Sequence, residues 1–384
     1  MDASITADGR SVKSIRIATA VYFFISGFGY TTWASRIPAI QQQLHLNDAQ
    51  LGLALFALPI GLLLTLPVTS SLLRVYSSSR IMLFGAMVFN VMLGLLGYVA
   101  FYWQLLLVLL CFGSSRNLLN LSINTESVGV QSLYKRSIIT TFHGIWSLAG
   151  FGGSALGYLA VSLNVIPSWH LLTVSSTLVI LALYFYPKTL QQQPLAAQRK
   201  PIFSLPDKYL LKYALICFAS MACENIMYDW GEIYMQKAAS ATHATAIAAF
   251  VVFMIFVTIG RFAGDPLVNR YGVKAPMRYS GVLVIAGLSL AVLFPYVPVV
   301  ITAFALIGLG VSCIVPLVYR QAGRSTTMQG GAAVAAVSTI GYLGFLVVPP
   351  LVGFIAQAAD MRWAFGVFIS LGVLMVWMTR RIDS

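Results

Sequence analysis

Residues 223–234 read CENIMYDWGEIY, which sets Glu224, Asp229 and Glu232 inside an otherwise apolar segment running from Leu210 to Met235. Three of the chain's 11 acidic residues are spent on that one segment. A carboxylate in such company has two chemical uses: it binds and releases a proton, or it accepts hydrogen bonds from a polar ligand. Tyr228 and Trp230 stand beside it as aromatic surfaces for a solute. A second polar run, SSRNLLNLSINTE (114–126), places Asn117, Asn120 and Asn124 at i, i+3 and i+7, one face of a helix, with Arg116 adjoining. Amides offer both donors and acceptors and suit a neutral hydroxylated ligand, whereas a guanidinium suits a carboxylate. The alternative is that the asparagines hold helices together by interhelical hydrogen bonds.

Further ionisable residues define two ends. Arg36 and Glu232 fall at one depth, either as an expected closing pair on the outer side or as interfacial charges that pair with nothing specific. Glu126 and Arg320 form the inner counterpart. His143 titrates in the range a proton relay needs, against the alternative of a structural histidine bonded to a backbone carbonyl.

The elements that must carry these residues follow from composition. The 384 residues are 59% hydrophobic and only 9% charged, where a soluble globular protein carries roughly 25% charge. The chain therefore reads as an all-α integral membrane protein. Its length holds about twelve spans of roughly 20–25 residues, expected at 14–38, 49–73, 79–99, 103–127, 138–163, 169–186, 209–235, 244–267, 276–294, 297–320, 330–357 and 361–379. No stretch is long and polar enough for a separate soluble domain, and the net charge of +13 reflects loop asymmetry, not nucleic acid. Twenty of the 24 Lys and Arg residues fall on one side of these spans, leaving Arg36, Arg116, Lys237 and Arg362. That bias places both termini in the cytoplasm and the chain in the cytoplasmic (inner) membrane. The N-terminus is polar to about Lys13 and continues into an apolar segment without a small-residue cleavage site, so it reads as a retained first span.

The polar, Gln- and Pro-containing segment 187–208 divides the spans into 1–186 and 209–384, the layout of many secondary transporters. YTTWASRIP (30–38) and MYDWGEIYM (227–235) echo one another on Trp33 and Trp230. With span 7 running outward from Lys208, Glu224 lies roughly 24 Å in, past the midplane of a ~30 Å core, and Asp229 and Glu232 lie at the outer end. Ala149, Gly153 and Gly157 form a stripe for close helix contact. VVPPLVG (347–353) breaks span 11, as a hinge or as static packing. The four cysteines, Cys111, Cys217, Cys223 and Cys313, lack metal-ligand spacing and read as small core residues. No phosphate loop, metal-spaced cluster or nucleophile–base motif is present, so neither an enzyme nor a cofactor is expected.

At these residues the chain resembles the major facilitator superfamily. GRFAGDPLVNRYG (260–272) is similar to that family's second-half loop signature, in which Gly264, Asp265, Arg270 and Gly272 hold the turn between spans 8 and 9. The first-half equivalent, PVTSSLLRVYSSSR (67–80), keeps Arg74 without an acidic partner. WASRIPAI (33–40), INTE (123–126), FHGIWSLAG (142–150), CENIMYDW (223–230) and IGYLGFLVVPPLVGF (340–354) resemble the fucose-permease-like branch, in particular its MosC/YbjJ-like group. Glu224, Asp229 and Trp230 match a Glu-x4-Asp-Trp pattern there, and Asn124, Glu126 and His143 a span 4–5 pattern. Asn120 and Gln131 stand where relatives often carry an acidic residue, and Arg116 and Asn117 replace small residues. The resemblance implies two pseudo-symmetric six-helix bundles, alternating access and a monomer.

The expected function is proton-coupled uptake of a small polar solute, sugar-, inositol- or sugar-acid-like, bound between the halves. Arg116, Asn117, Asn120, Asn124, Glu224, Tyr228 and Trp230 would bind it, and Glu224, Asp229, Glu126 and His143 would carry the proton. A proton-driven efflux antiporter is the first alternative. It is disfavoured because HGIWSLAGFGGSALGYLA (143–160) lacks the Gly-Pro dipeptide typical of such pumps. The second is a non-transporting membrane sensor of the same fold.

Overall fold

The structure, a computed structural model, describes residues 11–134, 138–190, 206–325, 328 and 330–382. Most of the expected linker, and Lys135 and Arg136, lie outside the described residues. Among those described, all regular structure is helical: α1 (Val12–Ala34), α2 (Ile37–Gln43), α3 (Asp48–Val75), α4 (Ser78–Leu96), α5 (Tyr102–Gln131), α6 (Ile139–Ser162), α7 (Pro167–Phe185), α8 (Lys208–Lys237), α9 (His243–Tyr271), α10 (Lys274–Leu293), α11 (Val297–Ser312), α12 (Ile314–Ala322), α13 (Gly330–Ala358) and α14 (Met361–Arg380). With α11 and α12 taken as one run, eleven are long and apolar enough to cross a membrane. The twelfth is α1, whose second half, GFGYTTWA, is diluted by glycine and hydroxyl residues. In a bilayer this is the expected solution, because a helix satisfies its backbone polar groups internally. Large apolar side chains such as Leu64, Phe84, Trp103, Ile180, Phe262 and Trp363 are exposed around the helices, where lipid would cover them.

Prolines set two breaks that hydropathy alone does not mark. The expected first span stops at Ala34, and a short helix follows with Pro38 in its first turn. Proline has no N–H to continue the ladder and disfavours helical geometry in the residue before it. The Ser35 and Arg36 amides instead close back on Thr31 and Trp33 at 3.0 and 2.8 Å. Pro316 divides the tenth span into α11 and α12 in the same way, at Cys313. The opposite correction applies to VVPPLVG: α13 runs unbroken through Pro349 and Pro350. Transmembrane helices tolerate such prolines where neighbours compensate the freed backbone groups. GRFAGDPLVNRYG is corrected too. It is the last turns of α9, with only Gly272, at φ 71°, in the turn proper. A left-handed residue closing a helix is the role glycine fills at least cost.

The chain forms two compact units, Met1–Leu44 with Ala57–Gln198, and His45–Phe56 with Arg199–Ser384. In the first, α1 packs along α6, and α4 packs against α5 and α7. In the second, α8 packs along α13, and α10 against α11 and α14. The pairing order is the same, element for element, as an internal repeat requires. Small residues permit the closest approaches. The stripe on α6 meets α1 as expected: a Cβ on Gly153 would lie 2.5 Å from the Phe28 carbonyl oxygen, and one on Gly157 would lie 2.2 Å from Ser35 Oγ. Gly344 on α13 is equally close to α8, 2.8 Å from the Phe218 oxygen. Cys217, Cys223 and Cys313 are buried, but Cys111 is exposed. It continues an exposed ridge on α5 through Trp103 and Leu107, because in lipid an apolar residue is as well placed outside as inside.

Candidate functional site

In the first unit, α1, α5 and α6 build a shared polar wall. Trp146 Nε1 on α6 donates to Ser26 Oγ on α1 at 3.3 Å, and Ser26 Oγ donates to Asn120 Oδ1 on α5 at 2.7 Å. An indole N–H can only donate, so the serine proton is directed to the amide oxygen. One turn away, Arg116 Cζ lies 3.6 Å from the centroid of the Tyr30 ring. Arg116 Nε is buried without a hydrogen-bond partner among the described residues. A desolvated cation–π contact contributes about 2 kcal/mol, less than the several kcal/mol that desolvating an ion costs. Asn124, one turn further along, is exposed and donates to the Asn120 carbonyl at 2.7 Å.

Arg116, Asn120 and Asn124 thus share a face. Asn117 turns away and donates to Thr69 Oγ1 on α3 at 3.0 Å, so here the interhelical-bond alternative describes what the amide does. His143 is exposed on α6, its ring edge-on to Phe23 with centroids 5.4 Å apart.

The expected closing pairs each draw one residue from either unit. In its own unit, Arg36 donates from Nε to His170 Nδ1 and from Nη2 to the Val165 carbonyl, both at 2.9 Å. This ties the α1–α2 junction to the start of α7 and fixes the histidine proton on Nε2. Glu126 is fully buried and accepts from the Ser78 hydroxyl in the first turn of α4, where the helix dipole favours negative charge. Arg320 is exposed in the last turn of α12.

In the second unit α8 carries the acidic cluster. Glu224 Oε1 accepts from Arg261 Nη2 at 3.1 Å, joining α8 to α9. Asn225 Nδ2 donates to Asp229 Oδ2 at 2.9 Å. Asp229 and Glu232 are 8% and 4% exposed, eight and five residues before the end of α8. Tyr228 meets Phe250 and Phe253 edge-on, with centroids 5.5 and 5.9 Å apart. Trp230 is fully buried, and its Nε1 has no hydrogen-bond partner among the described residues. Trp33, its echo on α1, is buried in the same condition. Lys237, the last residue of α8, pairs with Asp48 in the first turn of α3.

Arg261 is the site residue that sequence reasoning missed. Read as part of a loop signature, it falls among the cytoplasmic cations. In the structure it stands ten residues before the end of α9, about 15 Å up the helix. The sequence carried little signal for this, because Gly264, Asp265, Pro266 and Asn269 between Arg261 and Gly272 are all turn-forming types that α9 nevertheless holds in helix. In the same signature Gly264 packs on Cys313, a Cβ there lying 2.9 Å from its Sγ, and the Arg270 guanidinium lies 5.2 Å from the Tyr271 ring centroid. The Asp265 side chain lies outside the described residues. No group of His, Cys, Asp and Glu suited to a metal ion is found among the described residues. The chemistry these described side chains offer is ion pairing and hydrogen bonding.

A family model described as Major Facilitator Superfamily matches residues 19–319 and 213–383. The chain is 29% identical over 355 residues to an uncharacterized MFS-type transporter of Yersinia pestis, covering 92% of each. It is 28% identical over 364 residues to membrane protein MosC of Rhizobium meliloti, covering 93% of this chain and 88% of that one. Among solved structures, a point mutant of the nucleoside transporter NupG superposes with a TM-score of 0.76 at 16% identity, over 97% of this chain and 100% of that one. A bacterial homolog of the human lysosomal transporter Spinster superposes with a TM-score of 0.72 at 13% identity, over 96% and 97%.

Proposed function

Because the chain belongs to the major facilitator superfamily and is on that ground a multi-pass membrane transporter of a small molecule, we propose that it is a proton-coupled secondary carrier. It takes up a small polar solute, sugar-, inositol- or sugar-acid-like, by alternating access. The observation that carries this reading is the Glu224–Arg261 pair, which joins two membrane-spanning helices, with Glu224 near the middle of α8 and Arg261 ten residues before the end of α9. Charges are costly there and mark solute or ion pathways. Glu224 releases Arg261 when it takes up a proton, so protonation and the availability of a cationic site change together. Asp229, Glu126 and His143 are secondary candidates for the proton path. The solved neighbours include a nucleoside transporter; at 16% identity that likeness carries the fold and leaves the solute open.

Uptake is favoured over efflux by α6, whose glycine-rich sequence contains no Gly-Pro dipeptide. The excess of Lys and Arg on one side of the spans supports an inner-membrane location with both termini in the cytoplasm.

Proteoliposomes provide the test. Solute counterflow separates a carrier from a non-transporting sensor, and uptake driven by an imposed pH gradient separates proton coupling from facilitation. Glu224→Gln is expected to abolish gradient-driven uptake and to retain counterflow. Gradient-driven uptake at the wild-type rate in that variant would remove Glu224 from the role.

A further inference from the structure

Unclaimed hydrogen-bonding capacity on the α1–α5–α6 wall has a definite chemical sense. The Ser26 proton is committed to Asn120 Oδ1, and Ser26 also receives the Trp146 N–H. Asn120 therefore presents its Nδ2 donors. Arg116, half-buried beside it, presents only donors. Two cations of the second unit, Arg261 within α9 and Lys237 at the end of α8, face carboxylates. Arg116 faces the ring of Tyr30 and, among the described residues, no carboxylate. One turn along, about 6 Å by helical rise, exposed Asn124 commits its Nδ2 to the Asn120 carbonyl and leaves its Oδ1 as an acceptor. The wall thus reads, in order, cation, donor, acceptor.

We propose that the transported solute is a hydroxy acid whose carboxylate is held by Arg116 and Asn120, with a hydroxyl donating to Asn124. The inference deepens the uptake reading above and rests on it. A guanidinium matches a carboxylate in geometry, and the pair is shorter and stronger than neutral hydrogen bonds. The bound anion would supply the counter-charge that the ring of Tyr30 supplies only in part. A neutral polyol leaves the guanidinium uncompensated, and an amine repels it, so selectivity for the acid follows from the same contact.

The test uses the purified full-length chain in nanodiscs and binding of gluconate, glucuronate and quinate, each compared with sorbitol, glucose, myo-inositol and glucosamine at constant ionic strength. At least one of the acids is expected to bind tenfold or more tightly than every neutral or cationic compound. Arg116→Gln should erase that preference by at least tenfold, and Arg116→Lys should keep part of it. Asn120→Asp, which leaves Arg116 in place and seats a carboxylate beside it, should also lose the acid by tenfold or more, provided that the variant elutes as the wild type does. Preference for a neutral compound or an amine, binding of none of the acids, or undiminished acid binding by folded Arg116→Gln would each overturn the assignment. Counterflow keeps the two readings apart. Carriage of a neutral sugar sinks the carboxylate and leaves the carrier, whereas Arg116-dependent acid binding without flux does the reverse.

Discussion

Two arginines inside membrane-spanning helices meet opposite surroundings, and the difference organises the chemistry at the scale of single residues. Arg261 has a carboxylate 3.1 Å away, with side-chain exposures of 27% for itself and 13% for Glu224. Removing one partner of a buried pair costs about 3–5 kcal/mol, because the other charge is stranded. The partial exposure of Arg261 lowers that figure. Glu224→Gln and Arg261→Gln are each expected to destabilise the protein by about 1–3 kcal/mol. Glu224→Gln/Arg261→Gln should cost clearly less than the sum of the two. Thermal unfolding of the four proteins in detergent measures the coupling; strict additivity would show that the pair contributes nothing. Much of this site was legible in sequence as residue types: Glu224, Asp229, Arg116 and Asn120 stand out from apolar surroundings. Their partners were not. Except for Asn225, four residues before Asp229 on α8, the partners lie on other helices, and in a chain without a depth marker on every residue, Arg261 reads equally well as a loop cation. Asn117 and Asn120 differ by one step of three around a helix, enough to send one to Thr69 and the other to Ser26.

At the scale of elements, sequence places the spans to within a few residues wherever a polar loop interrupts an apolar run. It fails where the interruption is internal. Pro38 and Pro316 end helices, yet Pro349 and Pro350 do not. The outcome depends on which neighbours the freed carbonyls and the ring meet, a property of packing. The buried face is poorly legible for a related reason: lipid accepts the same side chains as the core, so hydrophobic periodicity loses contrast, as exposed Cys111 shows. Small residues carry what remains of the signal. At Gly113 on α5 a Cβ would stand 1.9 Å from the Leu58 carbonyl oxygen on α3, a backbone atom that cannot step aside. Gly113→Ala must therefore spread α3 from α5, at a cost of about 1–3 kcal/mol as for overpacked cores. At Gly366 on α14 nothing lies within 4 Å. Gly366→Ala is expected to be neutral, or stabilising by up to about 1 kcal/mol through helix propensity. Melting temperatures of the two variants, measured side by side in the same detergent, check the contrast; equal shifts would mean that the α3–α5 contact is not limiting.

For the whole molecule, a repeated pairing order and a one-sided distribution of cations combine into a statement about orientation. Consecutive spans joined by a short loop cross in opposite directions, so fixing the direction of one crossing fixes that of its neighbour in the same unit. The 20 residues of α10 span about 30 Å, the thickness of a hydrocarbon core. Its two flanks carry exposed tyrosines, Tyr271 at 55% and Tyr296 at 67%. Lys and Arg cluster at the first flank, with Arg270, Lys274 and Arg278 close to Tyr271; along the sequence none occurs between Arg278 and Arg320, and Arg362 reaches the second flank at the Val292 carbonyl. Arg261 leaves the count, since it lies within α9, but the bias at this flank does not depend on it. The positive-inside rule then predicts Tyr271 on the cytoplasmic side and Tyr296 outside. With Cys111 replaced by Ala, Tyr296→Cys should react with a membrane-impermeant maleimide in intact cells. Tyr271→Cys should react only after permeabilisation. The reverse pattern would turn the molecule over, carry both termini to the outer side and leave the excess of Lys and Arg facing away from the cytoplasm; labelling of both in intact cells would mean that α10 does not cross the bilayer.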